Sequence, residues 1–224
     1  MSERKQLAAY ISPMALFIGL LGLVALLHKI DNAFWLRSAE YWVYPLQTIV
    51  CGATLIWCWR EYPLRRPVRI GLGIAIAIVV LIIWISPQQF FGSSVRSDGF
   101  NPDVFATQPR LYWSTIVFRF VRLVVVVPLV EEIFWRGFLL RYLIDEKFDR
   151  VSFGTFSWFS FLGVSVAFAL GHSPTDWPAA IVTGMFFNGV AYWTKSLSTC
   201  VVTHAVTNLL LGFWIMQTKQ WGFW

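Results

Sequence analysis

Seven hydrophobic stretches, separated by short polar or proline- and glycine-bearing intervals, organise the chain: Ile11–Leu27, Trp42–Trp59, Ile70–Ile85, Ser114–Tyr142, Phe153–Leu170, Ala179–Trp193 and Leu197–Met216. A transmembrane helix needs about 20 mostly apolar residues, and somewhat shorter spans are tolerated. The pattern therefore predicts an all-α, polytopic transmembrane helix bundle of about seven spans. The fourth stretch is too long for one straight span. Pro128 lies inside it and is expected to kink or break the helix, because proline removes a backbone donor and clashes with the preceding turn; a break would add an eighth segment. The longest polar interval, Pro87 to Arg110, reads as an extramembrane loop. No internal repeat, low-complexity tract or linker divides the chain. It reads as one integral membrane domain over residues 1–224, with accessory spans and the polar loop in residues 1–110 and the chemistry-bearing core in residues 111–216. The first stretch is long for a signal-peptide core and is followed by no small-x-small cleavage site, so it is expected to remain a membrane helix.

Composition strengthens this picture. Hydrophobic residues make up 57% of the 224 and charged residues only 13%, against about 25% charged in soluble domains. The net charge of +6 does not point to nucleic acid, because the basic residues are dispersed among hydrophobic spans. They read as topology determinants and lipid-headgroup anchors, and the thirteen tryptophans suit a membrane interface. With the N-terminus inside, the inner segments collect Arg4, Lys5, Arg60, Arg65, Arg66, Arg69, Arg141, Lys147, Arg150 and Lys195, and the outer ones Lys29, Arg37, Arg96, Arg110 and Lys219. This asymmetry favours N-in and, for seven spans, C-out; an eighth span would return the C-terminus inside. Cys51, Cys58 and Cys200 lie in apolar stretches without paired spacing, which fits buried small hydrophobes and neither a disulfide framework nor a zinc ribbon.

Charged residues inside the fourth stretch are the exception that calls for chemistry. Glu131, Glu132 and Arg136 sit in an apolar helix, where each charge costs roughly 2.5 kcal/mol or more. Glu132 and Arg136 are spaced i,i+4 and can pair along one face. Glu131 lies about 100° around the helix from Glu132, so the two carboxylates divide the work: Glu132 is neutralised by Arg136, and Glu131 projects into a cavity as an available base. Two further elements carry polar groups at helical spacing, Phe168 with His172 and His204 with Asn208. Helical rise puts Glu131 about 21 Å and His172 about 26 Å above the inner end of their spans, at similar depths on neighbouring antiparallel helices. His28, at a helix end, reads as interfacial. A helix-pinning role for the Glu/Arg and His/Asn pairs is the alternative to a shared site.

The three patterns EExxxR, FxxxH and HxxxN, in this order on successive membrane helices, resemble the CPBP family of intramembrane proteases. That family includes the CAAX prenyl endopeptidases of the Rce1 type (the Abi family) and bacterial bacteriocin-processing or self-immunity proteins. Phe134-Trp135-Arg136-Gly137 resembles the family's FRG context, with Trp135 as the variation before the arginine. The resemblance spans roughly Arg119 to Phe213. In size and aromatic content the chain is also similar to the CAAX-protease-related proteins that accompany bacterial exosortase systems.

The resemblance implies peptide-bond hydrolysis in a protein or peptide at the membrane, within a multi-pass protein of the bacterial inner membrane. In that reading Glu131 and His172 activate water, while His204 and Asn208 stabilise the oxyanion. Glu132, Arg136 and Phe168 support them. Glutamate, two histidines and asparagine are a conceivable zinc set, but the chain has no HExxH and asparagine is a poor zinc ligand, so the metal-free, glutamate-dependent reading with no cofactor is preferred. Missing HExxH also argues against a site-2-type protease. Aspartates confined to loops argue against an aspartyl type, and the lack of a helical GxSx against a rhomboid type. A non-catalytic scaffold or chaperone of the same fold and a proton-coupled transporter are the alternatives. No degenerate catalytic position supports the first, and no inverted repeat supports the second.

Overall fold

The computed structural model describes residues 3–30 and 33–224. Among these residues there are helices and no strands. The helices are α1 (Glu3–Ile30), a short α2 (Phe34–Arg37), α3 (Glu40–Trp57), α4 (Ile70–Phe90), a long α5 (Pro109–Tyr142), α6 (Trp158–Leu170), α7 (Trp177–Thr194) and α8 (Leu197–Thr218). Each of the seven hydrophobic stretches thus becomes one helix. Four of them, α1, α4, α5 and α8, are long and apolar enough to cross a membrane by length and composition, and α6 is a shorter apolar helix. Side chains such as Ile74, Ile78 and Ile82 on α4 stay about half exposed, as expected of a surface solvated by lipid tails. The chain is a multi-pass helical membrane bundle.

Pro128 does not break α5, and no eighth segment forms there among the described residues. The rod is continuous but contains two π-helical turns, Arg122–Val126 and Ile133–Leu139. The first lies immediately upstream of Pro128. Its wider winding makes the Val127 N–H donate to the Arg122 carbonyl. The i→i+5 partner of the next carbonyl, Leu123, would be Pro128, which has no N–H. Asn208 on α8 fills that vacancy: its Nδ2 donates to the Leu123 oxygen at 2.8 Å. A proline defect is thus absorbed by winding and by a side chain from a neighbouring helix.

α5 is the axis of the bundle. Val130 and Ile133 are fully buried along it, packed with Val164 and Phe168 of α6, Phe187 and Val190 of α7 and Leu197 of α8. Small residues set the closest helix crossings, as in other membrane bundles. A Cβ on Gly184 of α7 would lie 2.9 Å from the Ser165 Cα of α6. One on Gly73 of α4 would lie 2.6 Å from the Thr203 hydroxyl of α8. Two sequence-based expectations shift. The helix of the fifth hydrophobic stretch, α6, begins at Trp158, since residues 151–157 form turns with Gly154 at φ +81°. Arg141 is not a headgroup anchor; it is buried, its Nε donating to the Gly137 carbonyl at 2.7 Å.

The polar interval after α4 is ordered over the end of the bundle. Gly222 N–H donates to the Arg96 carbonyl at 3.0 Å, tying the loop to the C-terminal turn Trp221–Phe223. Arg96 also pairs with Asp176 at 2.5 Å. His28 bonds Glu40 at 2.8 Å on a half-exposed surface, away from the polar interior.

Candidate active site

The two adjacent carboxylates have different environments. Glu132 is fully buried, and one of its oxygens, Oε1, accepts from Arg136 at 2.9 Å and from His204 Nδ1 at 2.9 Å. Its Oε2 has no partner among the described residues. Arg136 is tied on every side: its Nε donates to Asn188 Oδ1 at 3.1 Å and a terminal nitrogen to the Gly184 carbonyl at 3.3 Å. The rings of Phe168 and Phe187 cover its guanidinium at 5.2 and 5.4 Å. Asn188 in turn donates to Ser165 and to the Phe161 carbonyl. The Glu132–Arg136 pair therefore clamps α5 to α6, α7 and α8.

Glu131 points elsewhere. It is half-buried, makes no hydrogen bond or ion pair with other described residues, and lines a cavity of about 360 Å³. His172, His204, Asn208 and Phe168 line the same cavity. The carboxylate, both histidines and the carboxamide of the three motifs therefore share one space, and Glu132 and Arg136 stand behind its wall.

Hydrogen bonds assign the imidazole tautomers. His172 sits two residues beyond the end of α6, with its Nδ1 2.9 Å from the Phe168 carbonyl. A carbonyl only accepts, so Nδ1 carries the proton and Nε2 is left as an acceptor. The Phe168 ring, 4.7 Å from the imidazole, and Trp84, 5.5 Å away, hold it in place. His204 is oriented by Glu132 through Nδ1, so its Nε2 serves the cavity. Asn208 spends one amide hydrogen on Leu123 and keeps a second.

Other residues in the site carry no motif. Arg119 and Arg122 on α5, Tyr44 on α3, Trp84 on α4 and Phe17 on α1 also line the cavity, so the first three hydrophobic stretches help to build it. Asn188, the partner of Arg136, is equally outside the motifs. The two arginines have a sequence signal: they are charges at i,i+3 inside an apolar run, subject to the same cost argument as Glu131. Tyr44, Trp84 and Asn188 have none, because aromatic and amide residues are common in such helices.

Among the described residues no group of three His, Cys, Asp or Glu is placed to hold a metal ion. His204 Nδ1 faces Glu132 and His172 Nδ1 faces a carbonyl, which leaves Nε2 as the free nitrogen of each ring.

The chain is thus a polytopic helical membrane protein with a free carboxylate and two oriented imidazoles around one cavity. Residues 113–210, just under half of the chain and including every motif residue, match the family described as Type II CAAX prenyl endopeptidase Rce1-like. This is the family that the three motifs resemble, and the match supports a CAAX-type intramembrane endopeptidase. No curated protein and no solved structure matches the chain.

Proposed function

We propose that this protein is a glutamate-dependent intramembrane endopeptidase of the bacterial inner membrane, hydrolysing a peptide bond in a membrane-associated protein or peptide. The observation that carries this reading is the asymmetry of the two glutamates: Glu132 is held through Oε1 by Arg136 and His204, while Glu131 makes no hydrogen bond or ion pair with other described residues and lines a cavity with His172. Water held between the Glu131 carboxylate and His172 Nε2 loses a proton to Glu131 and attacks the scissile carbonyl. The C–N bond then breaks, and the proton passes to the departing amine. General-base catalysis of this kind contributes about 10² to 10⁴ in rate.

His204 and Asn208 face the developing oxyanion. The second amide hydrogen of Asn208 is one donor. His204 supplies the other from Nε2 when both of its ring nitrogens carry protons, with Glu132 as counter-ion. Preorganised donors of this type are each worth about 10² to 10³ in rate. Phe168 separates the Arg136 charge from His172 and fixes the imidazole. The mechanism requires no metal, so activity should survive dialysis against a chelator.

The reading is tested by cleavage of co-purified candidate substrates in reconstituted membranes. Glu131→Gln should reduce cleavage by at least about 10³-fold in protein that still folds. Cleavage at the wild-type rate by folded Glu131→Gln would refute the role of Glu131.

A further inference from the structure

The cavity belongs to one end of the bundle. It is lined by His172, Ser173 and Asp176, between α6 and α7, and by Gly222 and Phe223 of the C-terminal turn. Ser173 is exposed, so the cavity reaches the surface there. No residue of segments 57–70, 141–157 or 193–199 lines it. Those segments meet at the opposite end of the bundle. Thr199 Oγ1 donates to the Val68 carbonyl at 2.8 Å, Arg69 to that of Trp193 at 2.6 Å, and Arg141 to that of Val151 at 3.4 Å. The opposite end is also sealed. Tyr10 packs edge to face on Tyr62 and Phe148, and Phe148 on Phe138, with ring centroids 5.5, 5.2 and 5.1 Å apart, and all four rings are buried. Along α5, Arg136 and then Phe138 lie between Glu131 and that aromatic floor.

The two ends differ in charge as well. At the sealed end Arg4, Lys5, Arg60, Arg65, Arg66, Arg69, Lys147, Arg150 and Lys195 are exposed. The open end carries Lys29, Arg37, Arg96, Arg110 and Lys219. Two of these are neutralised in place, Arg96 by Asp176 at 2.5 Å and Lys219 by Asp103 at 3.3 Å. Lysine and arginine beside membrane helices accumulate on the cytoplasmic side. Charge and packing therefore agree: the basic end is the closed one, and the mouth of the cavity is at the other.

We propose that the cavity opens to the extracytoplasmic face and that its substrate is the exported, extracytoplasmic segment of a membrane-anchored polypeptide. The substrate assignment rests on the protease reading above. Translocation across the membrane must then precede cleavage, because a cytoplasmic segment meets the packed rings of Tyr10, Tyr62, Phe138 and Phe148. His172 lies one residue from exposed Ser173, which puts the scissile bond in the flank of the anchor, near the outer surface. The water consumed in hydrolysis enters through the same mouth.

The test labels single cysteines in a Cys58→Ser background, in which Cys51 and Cys200 are buried. The probe is 2-(trimethylammonio)ethyl methanethiosulfonate, applied to right-side-out and to inverted membrane vesicles that hold the full chain. Its fixed charge keeps it from crossing the hydrocarbon, so Ser173→Cys and Glu131→Cys should react at least about tenfold faster in right-side-out vesicles, and Arg66→Cys at least about tenfold faster in inverted ones. Ser173→Cys reacting from the same side as Arg66→Cys overturns the proposal. A second arm maps new chain termini in membrane proteins of cells that make wild type and are absent with Glu131→Gln. These termini should fall in extracytoplasmic segments; termini in cytoplasmic segments overturn the substrate assignment. Outward labelling with no wild-type-dependent termini removes the protease reading and leaves the outward opening standing. Inward labelling with wild-type-dependent cytoplasmic termini does the reverse.

Discussion

At the scale of single residues, one helical step separates Glu131 and Glu132 into different environments. A turn of about 100° per residue takes Glu132 into a closed network and leaves Glu131 at the cavity. Asn208 joins a structural role to the proposed chemical one, since the carbonyl it bonds is the one left vacant upstream of Pro128. Asn208→Ala should therefore cost about 1 kcal/mol of stability and lower cleavage by about 10². Asn208→Asp, which loses the amide donors altogether, should be at least as inactive; thermal unfolding in detergent and a cleavage assay check both. His204→Ala should be the more damaging to the fold, because it strips one partner from the buried Glu132 carboxylate. The motif residues stand out in the sequence as i,i+4 spacings and as charges in an apolar run, and the structure brings Glu131, His172, His204 and Asn208 to one cavity. The Glu132–His204 contact was not legible there, because no spacing within one helix encodes a pair that is 72 positions apart.

At the scale of elements, the informative feature is the winding of α5. The apolar pattern located every long helix, since helix periodicity and length in lipid leave few alternatives. The behaviour of the fourth stretch was not legible: a proline in a helix is compatible with a kink, a break or a π turn, and the choice depends on which neighbour supplies the missing donor. Here α8 supplies Asn208, and the rod continues. Pro128→Ala restores the missing N–H and releases the helix to rewind as a regular α-helix, which rotates Arg119 and Arg122 relative to Glu131. The expected result is a protein at least as heat-stable as wild type with cleavage reduced about tenfold or more, since small misplacements of reacting groups are costly. Unchanged cleavage in Pro128→Ala would mean that the π turn does not set the site geometry. The crossing of α6 and α7 makes a complementary prediction. Gly184→Val places its side chain against the Ser165 backbone, and should lower the unfolding temperature through overpacking worth about 1–3 kcal/mol.

At the scale of the whole molecule, the bundle gathers groups from α5, α6 and α8 around one cavity and closes it with walls from α1, α3, α4 and α7. The early helices contribute packing and cavity wall without any recognisable motif, so their part in the site became visible only in three dimensions. The charge asymmetry of the loops predicts that Glu146, after α5, faces the inside and that Arg110, before it, faces the outside. Both are exposed. Cysteine substitutions at these two positions, in a Cys58→Ser background, should label from opposite sides with a membrane-impermeant thiol reagent. The central claim is that Glu131 carries the chemistry and Glu132 the structure around it. Its most direct test compares Glu131→Gln and Glu132→Gln for both cleavage and thermal unfolding. Glu131→Gln should unfold within a few degrees of wild type and be inactive, whereas Glu132→Gln should lose about 3–5 kcal/mol of stability by breaking a buried charge network. A Glu131→Gln protein that cleaves normally, or a Glu132→Gln protein that is fully stable yet inactive, would contradict that division.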